Sequence, residues 1–156
     1  MVNLLSTRDI DYLITIYEYC TTKGAARVID VARVLGVSKS TASLMIKKLE
    51  TQGLIEKVGR NVRLTSNGIE VCLEVIWRHG VIESALTKLG LSVEEACSVA
   101  RDIELSIPKY IVEKLWCLLG KPFTCPHGGL IVAEESNVRP TCTCRFNVVH
   151  KHQTVK

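Results

Sequence analysis

Residues 37–65, with the sequence VSKSTASLMIKKLETQGLIEKVGRNVRLT, decide the fold. Ser38 can cap a helix that continues to about residue 50, because its hydroxyl can accept a hydrogen bond from the first helical turn. Two β-like runs follow at 54–57 and 62–65, and the Gly-Arg-Asn sequence at 59–61 between them is typical of a hairpin turn. A capped helix followed by a short hairpin predicts the recognition helix and the wing of a winged helix-turn-helix.

The flanking sequence supplies the other helices of a mainly α fold with a small β wing. Apolar residues recur at helical spacing, and helices are predicted over about 7–23, 28–35, 66–88, 93–104 and 108–119. Ser6 or Thr7 can cap the helix over 7–23, and Thr65 can cap the helix over 66–88. Ser92 and Glu95 form a capping box for the fourth.

Charge is unevenly distributed along the 156 residues and favours a nucleic-acid partner for the first segment. Residues 1–68 carry ten Lys/Arg against six Asp/Glu, a net charge of +4, whereas 69–119 carry five against eight, a net charge of −3. Residues 120–156 return to +3, with five against two. Such alternation indicates separate roles for the three segments.

The basic excess falls on the predicted recognition helix and wing. Residues 36–63 hold six Lys/Arg against two Asp/Glu, and the start of the helix offers short polar side chains that can reach bases or phosphates. We therefore predict contacts to double-stranded DNA from Ser38, Lys39, Ser40, Thr41, Ser43, Lys47, Arg60 and Arg63. The alternative is a protein-interaction module that uses the winged helix as a docking surface.

Composition excludes several other classes of protein. No run of ~18 apolar residues predicts a membrane span, and no signal peptide is recognised, so a cytoplasmic location is expected. The seven cysteines are then more typical of thiols or metal ligands than of disulfides. No phosphate-cradling glycine loop or nucleophile elbow is present, so we do not expect an enzyme. Three cysteines are predicted to be small apolar core residues: Cys20, Cys72 and Cys117.

The last segment, 123–156, loses helical periodicity and reads as irregular or β-like. It holds two ligand pairs spaced i, i+2, which on extended backbone point to one face: Cys125 with His127, and Cys142 with Cys144. Together they make a tetrahedral Cys₃His set suited to zinc, with His150 and His152 as spare candidates. An iron–sulfur cluster on the same residues and a redox switch between the two cysteines of the second pair are the alternatives.

The order of several short motifs along the chain resembles that of a known protein family. The shared motifs are Asp11-Tyr12-Leu13, Ala26-Arg27-Val28, Val37-Ser38, Lys48-Leu49-Glu50, Gly53-Leu54-Ile55 and Arg78-His79. Over roughly residues 8–131 the chain is similar to the diphtheria-toxin-repressor and manganese-transport-regulator (DtxR/MntR) family. The resemblance implies a homodimeric repressor that reads a palindromic operator and responds to a divalent metal ion.

The resemblance also implies a domain organisation. We expect a winged-helix DNA-binding domain over 1–68, a helical dimerisation and metal-sensing domain over 69–122, and a Cys/His-containing tail over 123–156, which includes the candidate zinc ligands. Some members add a C-terminal SH3-like domain, for which this chain is too short.

One metal site is predicted on the helix over 66–88. His79 and Glu83 are four residues apart, so they face the same way and suit a shared divalent ion. The resemblance implies ligands at both positions and a third on the next helix, where Cys97 replaces the family's usual His. A His/Glu/Cys set favours Zn²⁺ or Fe²⁺ over Mn²⁺.

The family's second metal site is incomplete in this sequence. The resemblance implies ligands at Asp11 and Glu104, but Ile14, Arg101 and Leu105 stand where relatives carry other ligands. Ile and Leu have no donor atom, and Arg stays protonated. An alternative function is therefore a metal-independent or redox-responsive DNA-binding regulator with a structural metal in its tail.

Overall fold

The structure is a computed structural model that describes residues 2–132 and 140. Two compact units are formed, one over Asn3–Cys72 and a second that begins at Leu73. The helices of the described residues are α1 Thr7–Lys23, α2 Val28–Leu35, α3 Lys39–Thr51, α4 Ser66–Lys88, α5 Val93–Ile103 and α6 Lys109–Leu118, with a 3₁₀ turn at Val2–Leu4. The strands are β1 Ala26–Arg27, β2 Ile55–Val58 and β3 Asn61–Leu64.

Side-chain caps start α1 and α3 where the sequence predicts them. The Ser6 hydroxyl accepts a hydrogen bond from the Asp9 backbone N–H, and the Asp9 carboxylate accepts one from Ser6, a reciprocal capping box. The Ser38 hydroxyl accepts from the Thr41 backbone N–H at 3.1 Å. Gly24 and Gly36 end α1 and α2 in the left-handed conformation.

A three-stranded antiparallel sheet of order β1-β3-β2 forms the wing and its base. The hairpin of β2 and β3 pairs Ile55 with Leu64 and Val58 with Asn61, and its turn holds Gly59 at φ 61°. Strand β1 was not predicted, since two residues are too few for a periodic pattern to be visible. Both predicted wing strands are present, displaced by a single residue.

The core of the first unit lies between α1, α2, α3 and the sheet. Its buried apolar side chains include Ile10, Leu13, Ile16, Val31, Ala42, Ile46, Leu49, Ile55 and Val62. The start of α4 packs closely on this core, because a Cβ on Gly68 would lie 2.0 Å from the Leu54 carbonyl oxygen. Leu44 of the recognition helix is exposed.

The second unit is built from the larger part of α4 with α5, α6 and a short turn after α6. The predicted capping box at the start of α5 is confirmed, since Ser92 and Glu95 exchange hydrogen bonds. Cys117 is exposed on α6, so its prediction as a core residue is wrong; the buried residue of α6 is Val112. No helix of the described residues is long and apolar enough to cross a membrane.

A hairpin-like turn over 123–131 follows α6. Thr124 and Leu130 form an isolated antiparallel bridge, and the Ile131 N–H donates to the Phe123 carbonyl at 2.9 Å. Ile131 is buried against Gly80 of α4, where a Cβ would lie only 2.2 Å from the Ile131 Cγ2 atom. The absence of a side chain at Gly80 therefore allows this turn to dock on α4.

Candidate functional site

The start of the recognition helix α3 presents a cluster of hydroxyl groups. The Ser38 Oγ lies 2.9 Å from the Ser40 Oγ and 2.8 Å from the Thr41 Oγ1. Lys39 and Lys47 are exposed on the same helix. A helix N-terminus that carries hydroxyl groups and cations suits contacts with phosphates and base edges.

A groove of about 400 Å³ lies between this helix and the wing. Four cationic side chains line it: Arg27, Lys39, Lys57 and Arg60. Arg27 is paired with Asp30 at 2.7 Å and Lys57 with Glu50 at 3.3 Å, whereas no ion pair ties Lys39 or Arg60 within the described part of the chain. Arg27 and Lys57 were not among the predicted DNA contacts, because positive charge was their only signal in the sequence.

An ion pair between Lys48 and the buried carboxylate of Asp9 joins the recognition helix to α1. The Lys48 Nζ lies 2.7 and 2.8 Å from the two carboxylate oxygens of Asp9, which is itself the N3 residue of the α1 capping box. Burial alone would raise the pKa of Asp9, but the hydrogen bonds from Lys48 and Ser6 outweigh it and hold the pKa below its usual value. Lys48 thus helps to orient α3 through its contact with Asp9, although its side chain is 48% exposed.

In the second unit, α4 supplies the first two donor groups of a candidate metal centre. His79 and Glu83 are 1% and 0% exposed, and the His79 Nε2 lies 3.8 Å from the Glu83 Oε2. Cys97 of α5, also buried, places its Sγ 3.5 Å from the same His79 Nε2. These are the three residues that the resemblance assigned to a metal site.

The turn after α6 places two further donors beside Glu83. The Glu83 carboxylate, the Cys125 thiol and the His127 imidazole each offer a ligand atom, and these atoms lie within 4.8 Å of one another. The His127 Nδ1 lies 2.5 Å from the Glu83 Oε1. The Cys125 N–H donates to the Gly129 carbonyl and the Gly128 N–H to the Cys125 carbonyl, which closes the turn around this pair.

Burial and neighbouring groups shift the pKa values of the candidate ligands Glu83 and His79. Desolvation by burial, and next the neighbouring Cys125 thiol, raise the pKa of Glu83. Burial alone would lower the pKa of His79, but hydrogen bonds to Cys97 and Glu104 outweigh it and raise the pKa to about 9. A divalent ion would compensate the carboxylate and thiolate charge that burial otherwise disfavours.

The predicted site residues are thus partly regrouped. Cys125 and His127, assigned from sequence to a separate tail site, lie with Glu83 of α4, while Cys142 and Cys144 fall outside the described residues. Two further residues lie outside them too, the spare candidates His150 and His152. The regrouping was not visible in sequence, because more than forty positions separate Glu83 from His127.

The two ligands predicted for the second site lie in different units. Asp11 is a half-buried residue of α1 in the first unit. Glu104 is fully buried in the second unit, and its Oε2 lies 2.7 Å from the His79 Nδ1.

Comparison with known proteins identifies the family. A model of the iron dependent repressor N-terminal DNA binding domain matches residues 4–61, and a model of the iron dependent repressor metal binding and dimerisation domain matches residues 65–133. The transcriptional regulator MntR of Escherichia coli O6:H1 is 35% identical over 119 residues, which are 76% of this chain and 74% of that protein. The chain belongs to the iron-dependent repressor family.

Solved structures agree with this family membership. A hypothetical protein from Sulfolobus solfataricus superposes with a TM-score of 0.74 at 34% identity, covering 83% of this chain and all of the other. ScaR with bound Zn²⁺ gives a TM-score of 0.71 at 33% identity, covering 80% of this chain and 59% of that chain. The winged helix-turn-helix fold predicted from sequence is confirmed.

As an iron-dependent repressor family member, this protein is a DNA-binding transcriptional regulator and not an enzyme, as the sequence predicted. The DNA-binding domain of the family matches the winged helix, and the metal-binding and dimerisation domain matches the chain from α4 to the turn after α6. The family binds divalent metal ions through the second of these domains. Of the alternatives left open by the sequence, the protein-interaction module is not favoured by this membership.

Proposed function

We propose that the protein is a homodimeric repressor activated by a divalent metal ion held by Glu83, Cys125 and His127, with His79 and Cys97 completing the donor set. The observation that carries this proposal is the meeting of Glu83, Cys125 and His127 in one cluster. Two elements of the second unit, α4 and the turn over 123–131, contribute side chains to it, and Cys97 of α5 contacts His79, one helical turn before Glu83.

The donor chemistry fits a transition-metal ion. Two imidazoles, two thiols and one carboxylate are the groups that bind Zn²⁺ and Fe²⁺, whereas Mn²⁺ prefers oxygen donors. Four of the five donor residues are buried, and the His127 side chain is 30% exposed, which leaves a path for an ion to enter. We therefore expect Zn²⁺ or Fe²⁺ to bind more tightly than Mn²⁺.

The bound ion would tie the 123–131 turn to α4. This helix starts directly after strand β3 of the wing, so it connects the DNA-binding unit to the metal centre along one continuous element. Metal binding can then shift the population toward the conformation that binds DNA, provided that this conformation holds the ion more tightly.

A dimer accounts for the apolar side chains that the second unit leaves uncovered. Leu89, Tyr110 and Leu118 are exposed, and Leu118 is 83% exposed. Such a surface on a single chain is typical of a protein–protein interface. Two recognition helices related by a two-fold axis would read the half-sites of a palindromic operator.

The test is fluorescence anisotropy of a labelled duplex from the DNA upstream of the protein's own reading frame. Chelator-stripped protein is titrated without metal and then with Zn²⁺, anaerobic Fe²⁺ or Mn²⁺. Glu83→Gln is compared with Glu70→Gln, which changes an exposed carboxylate of the same helix.

We expect at least one ion to increase the affinity for DNA by about tenfold or more, which corresponds to about 1.4 kcal/mol. The increase should be lost in Glu83→Gln and retained in Glu70→Gln. Equal affinity with and without every ion would refute metal activation and favour the metal-independent regulator instead.

A further inference from the structure

We infer that Glu104 is a positioning residue that orients His79, and that it lies outside the coordination sphere of the metal. The inference rests on the proposed metal centre. It reassigns a carboxylate that the resemblance gave to the family's second metal site.

The geometry assigns the two nitrogens of one imidazole to different tasks. The His79 Nδ1 lies 2.7 Å from the Glu104 Oε2, and both side chains are buried. The opposite nitrogen, Nε2, faces the Cys97 Sγ at 3.5 Å and the Glu83 Oε2 at 3.8 Å. When Nδ1–H donates to the carboxylate, the lone pair of Nε2 is directed at the other metal donors.

Glu104 is itself held by its backbone. As the C-cap of α5, it donates its N–H to the Ala100 carbonyl at 2.8 Å. Its carbonyl accepts from the Arg78 Nη1 at 3.2 Å, and Arg78 also donates to the Ile107 carbonyl at 2.7 Å. Because Arg78 directly precedes His79, the same turn of α4 carries both the imidazole and the anchor of its partner.

The sequence argues against the competing role of Glu104 as a ligand of the family's second metal site. At three positions where the resemblance implied ligands of the second site, this chain has Ile14, Arg101 and Leu105, and none of these side chains can coordinate a cation. A buried carboxylate still needs a hydrogen-bond donor, and the His79 ring supplies one. Carboxylates that orient a metal-binding histidine typically increase metal affinity by about 10–100-fold.

The experiment compares Glu104→Leu, Glu104→Gln and the exposed neighbour variant Asp102→Asn with the wild-type chain. Zn²⁺ affinity is measured by competition with a chromophoric chelator, and the number of bound ions by native mass spectrometry. The absorption spectrum of the Co²⁺-loaded protein reports the inner ligand set, since thiolate and imidazole ligands determine its bands. Circular dichroism establishes that each variant is folded.

We expect Glu104→Leu to weaken Zn²⁺ binding by about 10–100-fold, and Glu104→Gln, whose amide oxygen still accepts from Nδ1–H, to recover most of that loss. At saturation, the number of ions and the Co²⁺ spectrum should match the wild type in both. If Glu104→Leu does not fold, unchanged spectrum and stoichiometry with modestly weaker binding in Glu104→Gln support the inference.

Loss of one bound ion or an altered Co²⁺ spectrum in Glu104→Gln would overturn the inference and make Glu104 a direct ligand. If Glu104→Leu bound Zn²⁺ with wild-type affinity, the inference would also be overturned, because Glu104 would then have no effect on metal binding. If the wild-type chain takes up neither Zn²⁺ nor Co²⁺, the proposed metal centre fails as a whole, an outcome distinct from either of these.

Discussion

Gly80→Ala tests whether the contact between α4 and the 123–131 turn builds the metal centre. The new Cβ would lie 2.2 Å from the Ile131 Cγ2, and 3.1 Å from both its Cβ and its Cδ1. Non-bonded carbon atoms settle at ~3.5–4.0 Å, so Ile131 has to move by roughly 1.5 Å. The turn is tied to Ile131 by its hydrogen bond to Phe123, so Cys125 is displaced with it.

Two opposing effects set the size of the change. Overpacking of this kind costs about 1–3 kcal/mol, whereas replacing a helical glycine by alanine stabilises a helix by up to about 1 kcal/mol. We expect a net loss of about 1–2 kcal/mol in the free energy of unfolding. Zn²⁺ affinity should fall about tenfold, since the Cys125 donor moves away from Glu83.

The assay is a double-mutant cycle with Ile131→Ala, followed by denaturant unfolding of the metal-free protein and by chelator competition for Zn²⁺. Ile131→Ala removes the Cγ2 and Cδ1 atoms and leaves only the contact at 3.1 Å. In that background Gly80→Ala should be neutral or stabilising, because the helix propensity remains while most of the clash is gone. An equal effect of Gly80→Ala in both backgrounds would refute the docking argument.

Three further predictions follow from the described geometry. Lys39→Ala with Arg60→Ala should weaken DNA binding and reduce the slope of log affinity against log salt by about 2, because two phosphate contacts are lost; unchanged anisotropy titrations would refute the assigned face. Leu118→Asp should shift the protein from dimer to monomer in light scattering after size exclusion, and an intact dimer would exclude this face. In metal-free protein, His79 has a folded-state pKa of about 9 against 6.5, so its stabilisation is present below pH 6.5 and lost as pH rises through 9. Denaturant unfolding should show that the free energy of unfolding of the wild type falls by up to about 3 kcal/mol over this pH range. The same pH dependence of the free energy of unfolding in His79→Gln would contradict its assignment to His79.

Local signals made much of the fold predictable. Capping at Ser6, Ser38 and Ser92 depends on residues within three positions of the helix start, so the sequence contains the whole interaction. The pairing of His79 with Glu83 is equally local, because one helical turn brings i and i+4 together. Strand β1 exists only through its pairing with β3, more than thirty positions away, and has no local pattern.

The rest of the site depends on one missing side chain and one turn. A glycine between His79 and Glu83 carries no sequence signal for the residue that fills its space, yet it is Ile131 that does so. The docking of Ile131 then brings Cys125 to Glu83, which no spacing rule connects. Sequence patterns therefore named the side chains that the proposed metal centre uses, while their grouping depends on long-range packing. For this reason the Gly80 cycle is a sharper test of the metal centre than removal of any one ligand: a ligand variant loses a donor wherever that donor lies, whereas the cycle changes no donor at all.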